Sequence, residues 1–208
     1  MRIRNRQGVT IRSKSRVTTT AGTLPSTGCI ILAMQMPPHP HTNTRPTPQQ
    51  LVDALDTLGV HFLRGGSGVP CMMAPDRVLA ALAASSEARL RLAIIPLMLA
   101  RPEFSEHVVA AWLRLSPESA VTLQCYYTAA YWLQRKYWTR LTALLNQMSP
   151  LPDHFGVMLG VAPNGDPDAA LRALAVRQQR LSGRALNWAG TYEHAAQSWL
   201  RQAAKAIV

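Results

Sequence analysis

The stretch SPESAVTLQCYYTAAYWLQRKYWTRLTALLN, residues 116–146, decides the fold of this chain. Ser116-Pro117-Glu118 opens a helix, because the fixed backbone angle of proline suits the first helical position. Two prolines soon follow the stretch, at positions 150 and 152, and end the helical pattern. The sequence therefore predicts one long helix over the whole stretch. Its apolar core stripe consists of Leu123, Tyr127, Tyr131, Trp138, Leu141 and Leu145.

The same start signals recur along residues 47–208 and predict a single all-α domain. Thr47-Pro48-Gln49-Gln50 provides a cap, a proline at the first helical position and a glutamine that closes a capping box. A kink is expected at Pro96, and Thr191 is expected to cap the last helix. We predict about seven to eight helices in an irregular bundle or a stack of helical hairpins. Further starts stand at Pro75-Asp76, Ser86-Glu87, Pro102-Glu103 and Asp166-Pro167-Asp168, with a short helical turn around 154–159.

Residues 1–46 are expected to be a disordered basic leader that ends in a Pro/His linker. Residues 1–48 hold +7 of the net charge of +11 and no acidic residue, whereas the remaining 160 residues hold 15 basic and 11 acidic groups, a net of +4. Such a leader buries too little apolar surface to offset the entropy of ordering. It fits neither a secretory signal nor a transit peptide well. We expect residues 1–33 to be dispensable and the natural start to be Met34 or Met36.

Cysteine usage and hydropathy predict a cytoplasmic protein with no membrane partner. The three cysteines at positions 29, 71 and 125 are far apart and form no Cys-x-x-Cys pair, so neither a disulfide framework nor a zinc site is expected. The longest apolar run, residues 92–100, is flanked by Arg91 and Arg101 and contains a proline. It is too short to span a bilayer and is expected to be a buried helix.

A glycine-rich segment follows His61-Phe62-Leu63, and over residues 51–69 it resembles the opening of minimal nucleotidyltransferase domains. In that family a strand leads into Gly-Ser, which backs the triphosphate, and two aspartates one residue apart hold the metal ions. The resemblance implies a short strand at residues 60–63. Asp76 is the only acid nearby and Val78 stands where the second carboxylate belongs, so the two-metal clamp is missing. The alternative is a flexible connector between the first two helices.

Six of the 13 aromatic residues lie between positions 126 and 140, together with three basic residues. Aromatic and basic side chains that alternate can stack bases and follow a phosphate backbone. They can also anchor a protein interface, or they can simply form the core of a helix. The helical stripe accounts for half of the aromatics and leaves Tyr126, Trp132 and Tyr137 outside it. The interaction candidates are therefore Tyr126, Trp132, Arg135, Lys136, Tyr137 and Arg140.

No other pattern in the sequence indicates a chemistry. The histidines are scattered without ligand spacing, and Asn164-Gly165-Asp166-Pro167-Asp168 lacks the later glycine and glutamate of a calcium loop. Gly190-Thr191-Tyr192-Glu193-His194-Ala195-Ala196 with Trp199 resembles the second helix of a tetratricopeptide repeat. No matching first helix and no 34-residue period accompany it. We assign no catalytic residue, metal or cofactor.

The leading hypothesis is a non-enzymatic helical module that binds another protein, as a small accessory or regulatory subunit of an enzymatic partner. A nucleic-acid-binding accessory protein is the first alternative, through the basic leader and Arg135, Lys136 and Arg140. A degenerate enzyme similar to the nucleotidyltransferases is the second.

Overall fold

Helices form all the regular structure in the computed structural model, which describes residues 45–63, 65–145, 148–162 and 165–206. The all-α fold is confirmed. In these ranges no strand is present, and within residues 60–63, where a strand was an alternative, residues 61–63 form a turn and a bend. The helices are α1 (Pro48–Thr57), α2 (Pro75–Ala83), α3 (Ala88–Leu92), α4 (Ile94–Ala100), a 3-10 helix (Pro102–His107), α5 (Val108–Trp112), α6 (Pro117–Lys136), α7 (Trp138–Leu145), α8 (Gly156–Leu159), α9 (Pro167–Ser182) and α10 (Trp188–Ala206).

The leader predicted for residues 1–46 lies, apart from Arg45 and Pro46, outside the described residues, as does the predicted start at Met34 or Met36. The domain proper begins with the predicted capping box. The side chain of Thr47 accepts a hydrogen bond from the backbone N–H of Gln50 at 3.2 Å. The side chain of Gln50 accepts one from the backbone N–H of Thr47 at 2.8 Å. Two N–H groups that the first helical turn leaves free are thereby satisfied.

Three of the predicted helices are each divided in two, which raises the number of helical segments above the seven or eight expected. The helix predicted from Ser86 breaks at Ala93 rather than at Pro96. Pro96 has no N–H to donate to the carbonyl of Leu92, and its ring would collide with that carbonyl, so the disturbance falls before the proline. The segment after Arg101 starts as the 3-10 helix and then becomes α5.

The long helix is the third case. It ends at Lys136, because Tyr137 has φ −104° and ψ 18°, outside the helical region, and α7 starts at Trp138. One start signal was also wrong. Thr191 lies inside α10, and the side chain of Asn187 instead accepts the backbone N–H of Gly190 at 2.9 Å. An asparagine side chain is as good a cap as a threonine, and it begins the helix a turn earlier.

The central helix α6 packs against α4 and α9, and its twelve consecutive residues Leu123–Gln134 are all buried. A helix that other elements cover on every side buries all of its faces, so it has no solvent-exposed face beside an apolar stripe. The prediction that Tyr126 and Trp132 lie outside the core is therefore wrong, since only 4% and 1% of their surfaces are exposed. Trp138, predicted to be core, is 38% exposed, because the break at Tyr137 takes it off the line of α6.

Candidate functional site

The structure separates the six interaction candidates into three environments. Tyr126 and Trp132 are buried, Lys136 and Tyr137 are half-buried, and Arg135 and Arg140 are exposed. Arg135 lies against the core edge. Its Nη1 donates to the hydroxyl of Tyr131 at 3.0 Å, and its guanidinium carbon lies 5.4 Å from the ring centres of Tyr131 and Trp132. Contacts of this kind let an arginine cover an aromatic core while its charge stays in water.

Lys136 and Tyr137 belong to a polar cluster that joins α6 to α9 and α10. The Nζ of Lys136 lies 2.6 Å from Asp168 Oδ1 and 3.1 Å from Glu193 Oε2. The hydroxyl of Tyr137 donates to Glu193, and Gln197 Nε2 donates to the same carboxylate at 2.9 Å. Burial disfavours the charged form of Lys136, but its hydrogen bonds to both carboxylates outweigh that effect and raise its pKa. These polar groups are already engaged, so the cluster has a structural role rather than an open binding site.

An apolar surface that no sequence pattern singled out lies on two short helices. We call it the α5/α8 surface and define it as Val109 and Leu113 at α5 with Val157 and Met158 in α8. Exposure reaches 71% at Leu113 and 80% at Val157, while Val109 and Met158 are 42% and 56% exposed. Single exposed apolar side chains are ordinary, whereas several of them on neighbouring segments are a candidate for an interface.

Contacts beneath the surface bring the two helices together. The ring centre of Trp112 in α5 lies 6.0 Å from that of Phe155, the residue directly before α8. Seven residues before Trp112 in the chain, the carbonyl of Ser105 lies 3.1 Å from Nε2 of His154. Val109 comes four residues after Ser105 and three residues before Trp112, so it lies on the same side of the helix as these two residues. That side faces the segment that carries α8.

The segment before α8 is held to the central helix by hydrogen bonds that orient it. Leu151 N donates to Gln134 Oε1 at 2.7 Å, and Gln134 Nε2 donates to Ser149 O at 3.0 Å. The hydroxyl of Tyr127 donates to the carbonyl of Pro152 at 2.7 Å. Burial raises the pKa of Tyr127, so this phenol remains a donor throughout the physiological range. The α5/α8 surface is therefore presented by a fixed scaffold rather than by a free loop.

The start and end of α8 are also fixed. The side chain of Asp153 accepts the backbone N–H of Gly156 at 2.7 Å. At the other end Gly160 has φ 70°, in the left-handed region that favours glycine, and Val161 N donates back to Gly156 O at 2.9 Å. A single helical turn held at both ends points Val157 and Met158 outward.

Exposed acidic residues are present on the segments that carry the α5/α8 surface. Glu106 and Asp153 are exposed at the segments that meet beneath it. The nearby basic residue Arg114 is partly neutralised, because its Nη1 lies 2.6 Å from Asp76 Oδ2. A partner with basic residues around an apolar centre would match this arrangement.

The glycine-rich segment is a connector from α1 to α2, and side chains of α1 hold it. Gln49 Nε2 donates to Gly65 O at 2.8 Å, and the backbone N–H of Ser67 donates to Asp53 Oδ1 at 2.7 Å. That hydrogen bond lowers the pKa of Asp53. Further on, Cys71 N donates to Thr57 Oγ1 at 3.0 Å. The loop is hydrogen-bonded to α1, so fewer of the loop's polar groups are available to bind a ligand.

The features that a nucleotidyltransferase site requires are not found in this region of the described chain. Residues 60–63 form no strand, and Val78, at the place of the second carboxylate, is buried in α2. Asp76 is bound to Arg114. Within the described ranges, no group of three or more histidine, cysteine, aspartate or glutamate side chains is placed to hold a metal ion. In the same ranges, none of the helices combines the length and the apolar character that crossing a membrane requires.

Sequence reasoning missed the α5/α8 surface although a signal was present. Val108, Trp112 and Leu115 share one predicted helix face, but Val109 and Leu113 repeat at an interval of four beside them. When the apolar stripe of a helix is wider than the face that it can bury, part of the stripe is exposed. In α8 every residue is apolar or glycine, so periodicity could not separate the buried Leu159 from its exposed neighbours.

No protein-family model matches the chain, and neither curated proteins nor solved structures include a significant match to it.

Proposed function

We propose that this protein is a non-enzymatic helical module that binds a partner protein through the α5/α8 surface. The observation that carries the proposal is the set of four exposed apolar side chains on two helices that meet through Trp112 and Phe155. Burial of apolar surface is the main favourable term in protein association. The scaffold beneath is already ordered by hydrogen bonds, so binding loses little conformational entropy there.

The partner that fits is a folded protein with an apolar patch and basic residues around it. Glu106 and Asp153 provide the negative charge on this side of the contact. Complementary charges at the rim of an interface raise the association rate and reject wrong partners, while the apolar centre provides most of the affinity. In this proposal the chain is the accessory or regulatory subunit, and the enzymatic chemistry belongs to the partner.

The test begins with the protein that copurifies with the native chain, followed by calorimetric titration of the two purified proteins. Leu113→Asp and Met158→Asp each place a charge in the apolar centre and should weaken binding at least tenfold. Val176→Asp is the matched control, because Val176 is 51% exposed on α9, away from the proposed surface. Glu106→Lys should weaken binding mainly through a slower association.

Melting temperatures should change little in these variants, since every replaced side chain is exposed. Equal affinity for wild type, Leu113→Asp and Met158→Asp would reject the α5/α8 surface as the binding site. A wild-type protein that sediments as a dimer, with Leu113→Asp monomeric, would instead assign the surface to a second copy of this chain.

Nucleic-acid binding is the second candidate, and an uneven charge distribution favours it. Residues 119–208 hold nine basic and four acidic groups, whereas residues 45–118 hold seven of each. Arg172, Arg177 and Arg180 are exposed on α9, and none of them is ion-paired within the described part of the chain. On a DNA column, Arg177→Gln with Arg180→Gln should reduce the slope of log affinity against log salt by about 2, with Leu113→Asp unchanged. A slope unaffected by the arginine changes argues against α9 as the contact.

A further inference from the structure

We propose that a cavity of about 1030 Å³ binds a neutral aliphatic alcohol, whose chain lies inside and whose hydroxyl donates a hydrogen bond to the side chain of Gln202. The cavity lies among the ends of α1, α4 and α7 and the last turns of α10. Its volume is at the upper end of the range, roughly 300–1,000 Å³, that small-molecule sites have. It shares no residue with the α5/α8 surface, so the two sites can be tested independently.

The cavity is present because small side chains continue the core face of α10. Residues separated by three, four or seven positions share one face of a helix. On this face the large side chains of Tyr192 and Trp199 are buried in the core. Beyond Trp199 the same face continues with Ala203 and Ala206, which are too small to fill the space beside α4 and α7. The end of α10 therefore leaves room that its middle does not.

The lining of the cavity is apolar inside and polar at the mouth. Its charged side chains, Arg101 and Glu103, and the ring of His61 are exposed. Its buried and half-buried residues are apolar, with the exception of Gln202. An apolar molecule that enters removes this surface from water, which is the main favourable term in such binding. The apolar side chains that carry the argument are Leu58, Leu144, Leu145, Met148, Trp199 and Ala203.

The amide of Gln202 is the independent observation that indicates a hydroxyl group on the ligand. Its Oε1 is buried and has no hydrogen-bond partner within the described residues. The large majority of buried side-chain oxygens have a donor, and the lack of one lowers the stability of the folded chain. The torsion that turns a glutamine amide is soft, so the oxygen can swing toward the cavity that this side chain lines. A hydroxyl in the cavity would then donate to it.

The mouth of the cavity selects against a charged ligand. Arg101 Nε donates to the carbonyl of Leu58 at the end of α1 at 2.9 Å, and its Nη1 lies 3.7 Å from Glu103 Oε1. The formal charges of Arg101 and Glu103 cancel. The last carbonyls of α1 and α4 are the negative ends of their helix dipoles, which favour a hydrogen-bond donor and disfavour a carboxylate. The ligand class is therefore an apolar, uncharged molecule with one hydroxyl group.

Isothermal titration of the full chain with 1-octanol and with its isomer heptyl methyl ether tests the site. The two molecules contain the same atoms, but the ether has no O–H to donate. We expect saturable one-to-one binding of octanol, about three- to tenfold tighter than binding of the ether. Gln202→Met keeps the length of the side chain and removes the acceptor, so it should bind both molecules equally. The matched control is Gln179→Met, exposed on α9 outside the lining, which should keep the preference for octanol.

Two further variants test the position of the chain. Ala203→Phe fills the cavity and should weaken octanol binding at least tenfold, whereas Leu113→Asp on the α5/α8 surface should leave it unchanged. Melting curves show whether Ala203→Phe is folded, and the comparison of octanol with the ether does not depend on this variant. Each methylene removed from the alcohol should weaken binding by up to about fourfold. Affinity that does not depend on chain length, or is unchanged in a folded Ala203→Phe, would place the alcohol outside the cavity.

Octanoate distinguishes the neutral ligand from an anion held by Arg101. It has the same chain length and a negative head, and we expect it to bind more weakly than octanol at pH 7.5. Equal or tighter binding of octanoate would show that Arg101 selects the ligand, and the proposed class would be wrong. A folded wild-type chain that binds octanol no better than the ether, or binds neither, would also reject the proposal.

Discussion

The hydroxyl of Tyr127 donates a hydrogen bond of 2.7 Å to the carbonyl of Pro152, and this contact joins the buried centre of α6 to the segment that carries α8. The ring of Tyr127 also lies 5.8 Å from that of Phe155, edge-on, and 5.3 Å from that of His154, stacked. The position of the α5/α8 surface therefore depends on a residue that lies wholly inside the core. A mutation there can alter the presentation of the surface without touching it.

We predict that Tyr127→Phe lowers the free energy of unfolding by about 1–3 kcal/mol, because it leaves the carbonyl of Pro152 without its donor. Hydrogen exchange should accelerate over residues 156–161 before the rest of the chain, since this segment loses a tether. Tyr131→Phe is the matched control. Its hydroxyl accepts from the exposed Arg135, and its loss should cost less than about 1 kcal/mol. Equal losses in urea unfolding for the two variants would contradict the role given to the Pro152 contact.

The two tryptophans around the break at Tyr137 should respond in opposite ways to truncation. Trp132 is fully buried, so Trp132→Ala should cost about 3–5 kcal/mol of stability through lost burial and the cavity left behind. Trp138 is 38% exposed, and Trp138→Ala should cost less than half as much. Chemical denaturation of both variants measures the difference. If Trp132→Ala lowered the free energy of unfolding only slightly, Trp132 would not be a core residue, and it would again be a candidate for the interaction surface.

The sequence predicts the elements of this fold better than their interruptions. Capping residues act over three or four neighbours, so Thr47 and Gln50 could be paired from spacing alone. The break at Tyr137 has no glycine or proline to announce it. It coincides with the bond from its hydroxyl to Glu193, which is 56 residues distant. Contacts of such long range depend on how α10 packs, and no local pattern contains that information.

For the candidate site too, local sequence patterns predict one part, and long-range packing determines the rest. The apolar stripe of residues 116–146 predicts that α6 is central, but a helix surrounded by others buries the side chains beside the stripe as well. Periodicity therefore places Tyr126 and Trp132 on the surface by mistake, and it does not reveal the exposed pairs at α5 and α8. The packing of the neighbouring helices decides which of two apolar faces is buried, and periodicity alone does not predict that choice.

The stability of the glycine-rich connector, which is hydrogen-bonded to α1, should depend on the charge of Asp53. Its carboxylate accepts the backbone N–H of Ser67, and this lowers its pKa below the ordinary value of 3.8. A carboxyl with a lower pKa in the folded chain stabilises it above the unfolded value, and that contribution is lost as pH falls through the folded value. We therefore predict that Asp53→Asn lowers the melting temperature at pH 7 and that the difference from wild type shrinks below about pH 4.

Melting curves of both proteins between pH 2.5 and 8 measure this dependence. The matched variant is Asp56→Asn on the same helix, whose carboxylate accepts no backbone N–H within the described residues and pairs only with His61 at 3.3 Å. Its effect at neutral pH should be smaller. A difference between wild type and Asp53→Asn that stays constant down to pH 2.5 would show that the hydrogen bond does not favour the charged carboxylate.

The thiol of Cys125 lies fully buried in the middle of α6 and should be unreactive in the native protein. Burial raises the pKa of its thiol to about 12, although the positive charge of Arg177 on α9 acts in the other direction. At pH 8 only about one thiol in ten thousand would then be ionised, and the thiolate is the species that reacts with alkylating reagents. Iodoacetamide should therefore label the partly exposed Cys71 in the native protein, with Cys125 labelled only after denaturation.

Mass spectrometric mapping over time gives the rate at each cysteine, and replacing both Cys29 and Cys71 by serine leaves Cys125 as the one thiol, so that its reaction can be followed alone. Labelling of Cys125 requires α6 to separate from its neighbours, so its rate reports how often the core opens. Tyr127→Phe should increase this rate, because the same helix loses a hydrogen bond, whereas Tyr131→Phe should change it less. Labelling of native Cys125 as fast as Cys71 would mean that α6 is not the closed centre of the bundle.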